Sequence, residues 1–207
     1  MSSSGYSALT KTNIANIALR HLAGMSLTDL DTDTSTEAEL INLYWPISLR
    51  ETLRAADWRF ASLEVDLTED ETEESDMWDY AYTYPDDCAM VREIIDTAGT
   101  LGQKIKYEVG LNDSQDGLLI WCNVEDAVAR YTYVLDSVGV WPPEFVTCFA
   151  MRLAYDIAYP LTQREDAKDT MFKLYQHAIS HAIVASRAEG YRQFVFTSDA
   201  LTSRRTS

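Results

Sequence analysis

Hydrophobic positions recur with two different periods along this chain, and the change of period divides it into parts. Ile14, Ile17, Ala18 and Leu22 fall on one helical face, which predicts a first helix over about 11–24. Thr10 or Thr12 is placed to cap its start, and Gly24 suits the position just past its end. Ile41, Trp45, Leu49, Leu53 and Ala56 make a second apolar stripe over about 36–57, with Thr34/Glu37 or Thr36/Glu39 as a capping box. Pro46 lies inside that stripe. A proline in a helix interior removes one hydrogen bond and costs about 3 kcal/mol, so either a kink at 42–46 or two helices meeting there is expected.

After Phe60 the period becomes two. Leu63, Val65 and Leu67 alternate with Glu64, Asp66 and Thr68, the pattern of a half-exposed strand. Short strands are predicted at 80–84, 90–95, 104–109, 117–121 and 129–134, with turns at 99–102 and 112–117. The helical period returns at Trp141-Pro142-Pro143-Glu144, where proline opens a third helix at a point that needs no N–H. Phe145, Cys148, Phe149, Leu153, Ile157 and Ala158 line its face, and Pro160 is expected to end it. A fourth helix over about 163–188 carries Met171, Leu174, Tyr175, Ala178, Ile179, Ala182 and Ile183 at helical spacing. The expected fold is α+β, mainly α: a four-helix bundle with a β-rich insertion between the second and third helices and an extended C-terminal arm. The expected boundaries are 1–60 with 136–190 for the bundle, 61–135 for the insertion and 191–207 for the arm.

Composition adds charge to this picture. The chain has 207 residues and a formal net charge of −16, a surface that repels nucleic acid at long range. The segment Glu69–Asp76 holds six acids among eight residues, so a loop or a disordered tip is expected there. No Lys or Arg occurs from Phe60 to Val91, whereas four Arg stand against two acids from Arg187 onward. The arm is therefore expected to seek a different partner from the body. The start of the chain has neither the basic nor the apolar region of a signal peptide, so the chain is expected to stay in the cytoplasm where it is made.

Candidate chemistry is sparse. Gly99–Lys104 has glycines but not the spacing of a phosphate loop, and a hairpin turn accounts for them better. His177 and His181 share a helical face without an evident third metal ligand. Asp86 and Asp87 match no calcium-loop spacing. Cys88, Cys122 and Cys148 are spaced as buried thiols, and no Gly-x-Ser-x-Gly occurs. No catalytic residue, metal site or cofactor is expected. Trp78, Tyr80, Tyr82 and other aromatics concentrate in the middle third, as core residues and as anchors for an interface.

Four segments in order carry a resemblance. They are Ile14-Ala15-Asn16-Ile17-Ala18-Leu19 with Leu22; Tyr44-x-Pro46-x-x-x-Arg50-x-x-Leu53 followed by Trp58-x-Phe60-Ala61; Trp78-x-Tyr80-Ala81-Tyr82-x-Tyr84-Pro85-x-Asp87-Cys88; and Tyr155-Asp156-Ile157-Ala158-Tyr159-Pro160-Leu161-Thr162. Together they resemble the head-to-tail adaptors of tailed bacteriophages, also called tail tubular protein A or gatekeeper-ring proteins. The likeness spans about residues 10–185, with Ala23 standing where that family has its glycine. It implies a virion structural protein and not an enzyme. It implies a twelve-fold ring at the head–tail junction, between the portal protein and the distal tail or nozzle protein. Such a ring extends the DNA channel and passes the genome without binding it specifically. On this reading Tyr191, Arg192, Phe194, Phe196, Arg204 and Arg205 dock on the portal. Glu69, Asp70, Glu71, Glu73, Glu74, Trp78, Tyr80 and Tyr82 form a subunit or tail interface. The reading from another class is a small acidic module that mimics DNA by its charge and acts on a host protein.

Overall fold

A computed structural model describes residues 9–22, 24–96 and 104–189. The first helix, α1 (Lys11–Leu22), starts at Thr10, whose hydroxyl accepts the Asn13 amide at 3.2 Å. Thr12 has another task, accepting the Leu30 amide at 3.1 Å. Asn16 holds the following loop by two bonds to the Leu27 backbone, at 2.9 and 2.7 Å. Gly24 takes a left-handed φ of 67°, the conformation that ends many helices and that glycine adopts without strain.

Helix α2 (Thr36–Arg54) is capped by Ser35, which accepts the Ala38 amide, and not by Thr34 or Thr36. It runs through Pro46 as one helix, so two helices do not meet there. Asn42, whose carbonyl loses its N–H partner to the proline, is exposed, as is Pro46, and water can satisfy the carbonyl. Helix α3 (Pro143–Thr162) likewise continues past Pro160, against expectation. Pro160 is exposed, and the helix ends two residues later, where Gln163 turns left-handed and donates to the Tyr159 carbonyl at 2.8 Å. Helix α4 (Glu165–Ala188) follows directly.

The expected four-helix bundle is not what forms. Helix α3 is a hub, with ten buried residues. Helices α1, α2 and α4 each pack on α3, and α4 otherwise rests mainly on the short 3₁₀ turn Arg59–Ala61. A bundle needs each helix to bury its stripe in one shared seam. Among the described residues α4 buries Met171, Tyr175, Ala182 and Ser186 and has one large partner, α3. Among the described residues the fold is a mixed α/β arrangement of four helices and two three-stranded antiparallel sheets.

One sheet has the order β1-β6-β3, from β1 (Ser62–Asp66), β6 (Val128–Tyr133) and β3 (Cys88–Ile95). The other has the order β2-β5-β4, from β2 (Tyr80–Thr83), β5 (Leu118–Cys122) and β4 (Tyr107–Leu111). Tyr82 and Ile120 from one sheet share a buried cluster with Val91, Ile94 and Tyr131 from the other. The Tyr107 hydroxyl crosses between them to the Val91 carbonyl at 3.1 Å. The sheets thus form a small sandwich with a core separate from that of the helices.

Three arginines tie the sandwich to the helices. Arg50 donates to the Cys88 carbonyl at 3.3 Å and Arg54 to the Ala89 carbonyl at 2.6 Å. In return Arg92 of β3 donates to the carbonyls of Leu53, Arg54 and Ala56 at the end of α2, where no further helical turn supplies donors.

Buried tyrosines of the sandwich, Tyr131 and Tyr84 foremost, make folding sensitive to alkali. Burial, and then the bond from its hydroxyl to Asp87 Oδ1 at 2.9 Å, pushes the Tyr131 phenol up. Burial, and then the contact from Cys88, does the same to Tyr84. A raised phenol contributes stability that is complete below the unfolded value near 10 and is lost as pH climbs from there toward the folded value. The urea midpoint should therefore fall between about pH 9 and 11.5, and Tyr131→Phe should flatten that fall. A midpoint that is flat in the unaltered chain would refute it.

Candidate interaction site

The acidic segment is not a loose tip. The chain leaves β1 with the Leu67 amide still bonded to the Ala127 carbonyl at 2.9 Å, then crosses to the edge of β2. There the Thr83 amide donates to the Thr68 carbonyl at 2.9 Å, and the Asp70 amide to the Ala81 carbonyl at 2.8 Å. Glu69 bridges Tyr82 in antiparallel register. Further along, the Glu73 carboxylate accepts the Asp113 amide at 3.0 Å, and Asn123 Oδ1 accepts the Asp79 amide at 2.9 Å. Backbone pairing holds the segment where side chains alone had no apolar surface to bury.

Behind it lies a cleft of about 360 Å³, lined by Glu69, Asp70, Glu71, Glu73, Glu74, Trp78, Asp79, Tyr80 and Trp121 among others. The five acids expected at an interface, together with Trp78 and Tyr80, are thus brought to one place. Tyr82 is not with them. It is 1 % exposed, and its hydroxyl donates to the Val124 carbonyl at 2.6 Å inside the sandwich. Tyr80 and Tyr82 lie two apart on one face of β2, their rings stacked 6.4 Å apart, and depth separates them: Tyr80, half-buried at the strand's start, lines the cleft with Ala81, while Tyr82 sits deeper in the sandwich. Tyr82 is therefore corrected from interface to core.

Sequence reasoning missed Trp121 and the acids of other strands. Trp121 faces Ala81 across β5, and Gly110 gives it room, since a Cβ there would meet the indole nitrogen at 3.3 Å. Glu108 accepts the Trp78 indole N–H at 3.3 Å. Glu125, the largest influence, together with burial, Asp79, Glu69 and Asp126, pushes the Tyr80 phenol up. Only a pairing of strands distant in sequence assembles this negative field. Residues 61–135 hold 18 Asp and Glu against four Lys and Arg, a net −14 within the chain's −16.

The arm residues Tyr191, Arg192, Phe194, Phe196, Arg204 and Arg205 lie outside the described residues. So do Gly99 and Gly102. His177 and His181 are exposed and line a groove of about 460 Å³ with Pro143, Glu144, Thr147 and Ala178. Among the described residues no group of three His, Cys, Asp or Glu is placed to hold a metal ion. Asp87 serves the sandwich through Tyr131. All three cysteines are buried, and burial pushes the Cys148 thiol up to about 12, away from the thiolate a nucleophile needs. Among the described residues no helix is long and apolar enough to cross a membrane. No protein-family model matches the chain, and no curated protein matches it.

Proposed function

We propose that this chain is a head-to-tail adaptor of a tailed bacteriophage, a non-enzymatic virion protein that needs no cofactor. It forms a twelve-fold ring between the portal and the distal tail or nozzle protein and extends the DNA channel. The observation that carries this reading is the placing of net −14 on one compact sandwich. A lumen or platform of that charge lets DNA pass without phosphate contacts to hold it. The segments that carry the family resemblance also meet in space, which supports the reading. Arg50 donates to the Cys88 carbonyl at 3.3 Å, and Ser48 donates to Asp156 at 2.6 Å. The C-terminal segment 191–207 docks on the portal, and the acidic cleft faces the next tail component or the channel.

The same charge concentration favours one other reading, an acidic module that occupies the DNA site of a host protein. Negative-stain imaging of the purified chain, alone and mixed with the portal of the same phage, separates the two. The adaptor reading expects a twelve-fold collar beneath the portal. It also expects collar formation to be lost when 191–207 are deleted, with the circular dichroism spectrum unchanged, and to be impaired when Glu69, Asp70, Glu71, Glu73 and Glu74 are neutralised. A chain that stays monomeric beside the portal, and binds a DNA-handling protein in a salt-sensitive way, establishes the other reading.

A further inference from the structure

Strand β1 is an edge of its sheet, and the described chain stops beside its start. The Leu67 amide bonds to the Ala127 carbonyl, so in this antiparallel ladder Val65 and Leu63 are also the residues that bond to β6. The amide and carbonyl of Asp66 and the carbonyl of Ser62 therefore turn away from β6, toward a side on which no described strand lies. Apolar side chains are under-covered there as well. Leu63, Val65 and Leu67 share the face of β1 that looks into the sandwich, yet Leu63 is 40 % exposed and Val65 and Leu67 are only half-buried. Folded proteins cover or blunt such an edge, because it is a ready template for another strand.

The path of the chain points to the cover. Ser186 Oγ accepts the Arg59 amide at 3.1 Å, and Glu189 lines a crevice with Trp58 and Phe60, just ahead of β1. The chain thus leaves α4 at the start of β1. Residues 190–207 lie outside the described residues, and 191–198 read Tyr-Arg-Gln-Phe-Val-Phe-Thr-Ser. Aromatic and β-branched residues suit a strand, and alternation sets Phe194 and Phe196 on one side with Gln193 and Thr197 on the other. At about 3.3 Å per residue this stretch spans about 26 Å, and β1 itself about 17 Å. Charge agrees: residues 190–207 carry three Arg against one Asp, and β1 leads into the acidic run 69–76. We propose that in the free chain residues 191–198 lie along β1 of the same molecule as a further strand, with Phe194 and Phe196 over Leu63 and Val65. The strand runs parallel to β1 because it sets out from the same end. The inference rests on the portal reading above only in that docking there draws the segment off β1.

The test is amide hydrogen exchange on the full chain and on the chain ending at Glu189. Removing 190–207 should speed exchange at the Asp66 amide by about tenfold or more and leave the amides of α3 unchanged. Phe194→Ser with Phe196→Ser in the full chain keeps the charge and the length, and should do the same. Equal exchange at Asp66 in all three chains overturns the pairing. Protection of Asp66 that grows with chain concentration gives the segment to a second copy and also overturns it. Adding the portal should return Asp66 to fast exchange. A portal complex in which Asp66 stays protected overturns the docking of 191–198 on the portal and leaves the pairing on β1 standing.

Discussion

Replacing Trp141 by alanine is expected to bring the chain to the edge of unfolding. Trp141 is 1 % exposed at the start of α3. Its ring meets Phe145 and Phe149 edge-on, each at 5.1 Å, and stacks on Trp45 at 6.2 Å. Its indole N–H donates to the Leu135 carbonyl at 2.9 Å. The residue therefore joins α2, α3 and the segment arriving from β6. Truncation leaves a cavity bounded by aromatic rings that cannot collapse without leaving their own rotamers, and it orphans a carbonyl. A loss of about 3–5 kcal/mol follows, a large fraction of the 5–15 kcal/mol a domain has. Urea unfolding followed by far-UV circular dichroism measures it. Trp141→Phe should recover more than half, because the aromatic contacts return without the indole bond. A change below about 1 kcal/mol for Trp141→Ala would show that the aromatic cluster is not a principal source of stability.

Arg92→Ala is expected to cost about 2–4 kcal/mol, although the side chain is only half-buried. The guanidinium donates to Thr132 Oγ1 at 2.8 Å and to three carbonyls at the end of α2, those of Leu53, Arg54 and Ala56. Without it the last carbonyls of α2 lose their donors beside the sandwich. Water can repair part of this, which sets the lower bound. Arg92→Lys should restore less than half, since one ammonium cannot span Thr132 and the helix end together. Hydrogen exchange should place the loss in the last turn of α2 and in β3. Equal stability of the Lys and Arg chains would mean that charge alone, and not the fork geometry, joins the two parts.

Much of the secondary structure was legible because helical and strand periods are local. The four helices announce themselves in stripes such as Phe145, Phe149 and Leu153, and each predicted strand corresponds to an observed one within a few residues. The prolines misled at Pro160 because a proline forbids only its own hydrogen bond, and an exposed helix side lets water replace it. The acids of the candidate cleft were legible as a run, but Trp121, Glu108 and Glu125 were not. Trp121 lines the cleft, Glu108 bonds to Trp78 there and Glu125 acts on Tyr80 only because β5, between β2 and β4, and the turn after it come from segments tens of residues away.

The order of helices and strands, the excess of negative charge and the acidic run between β1 and β2 can be read without a fold, since they depend on neighbours along the chain. Packing in three dimensions makes α3 a hub and not one wall of a bundle, buries Tyr82 while Tyr80 lines the cleft, and brings Arg92 to the end of α2. Each of these depends on which apolar face finds a partner first and which carbonyls are left without one. Those choices are made by packing between distant segments, where a stripe shows only that burial is needed and not what will provide it.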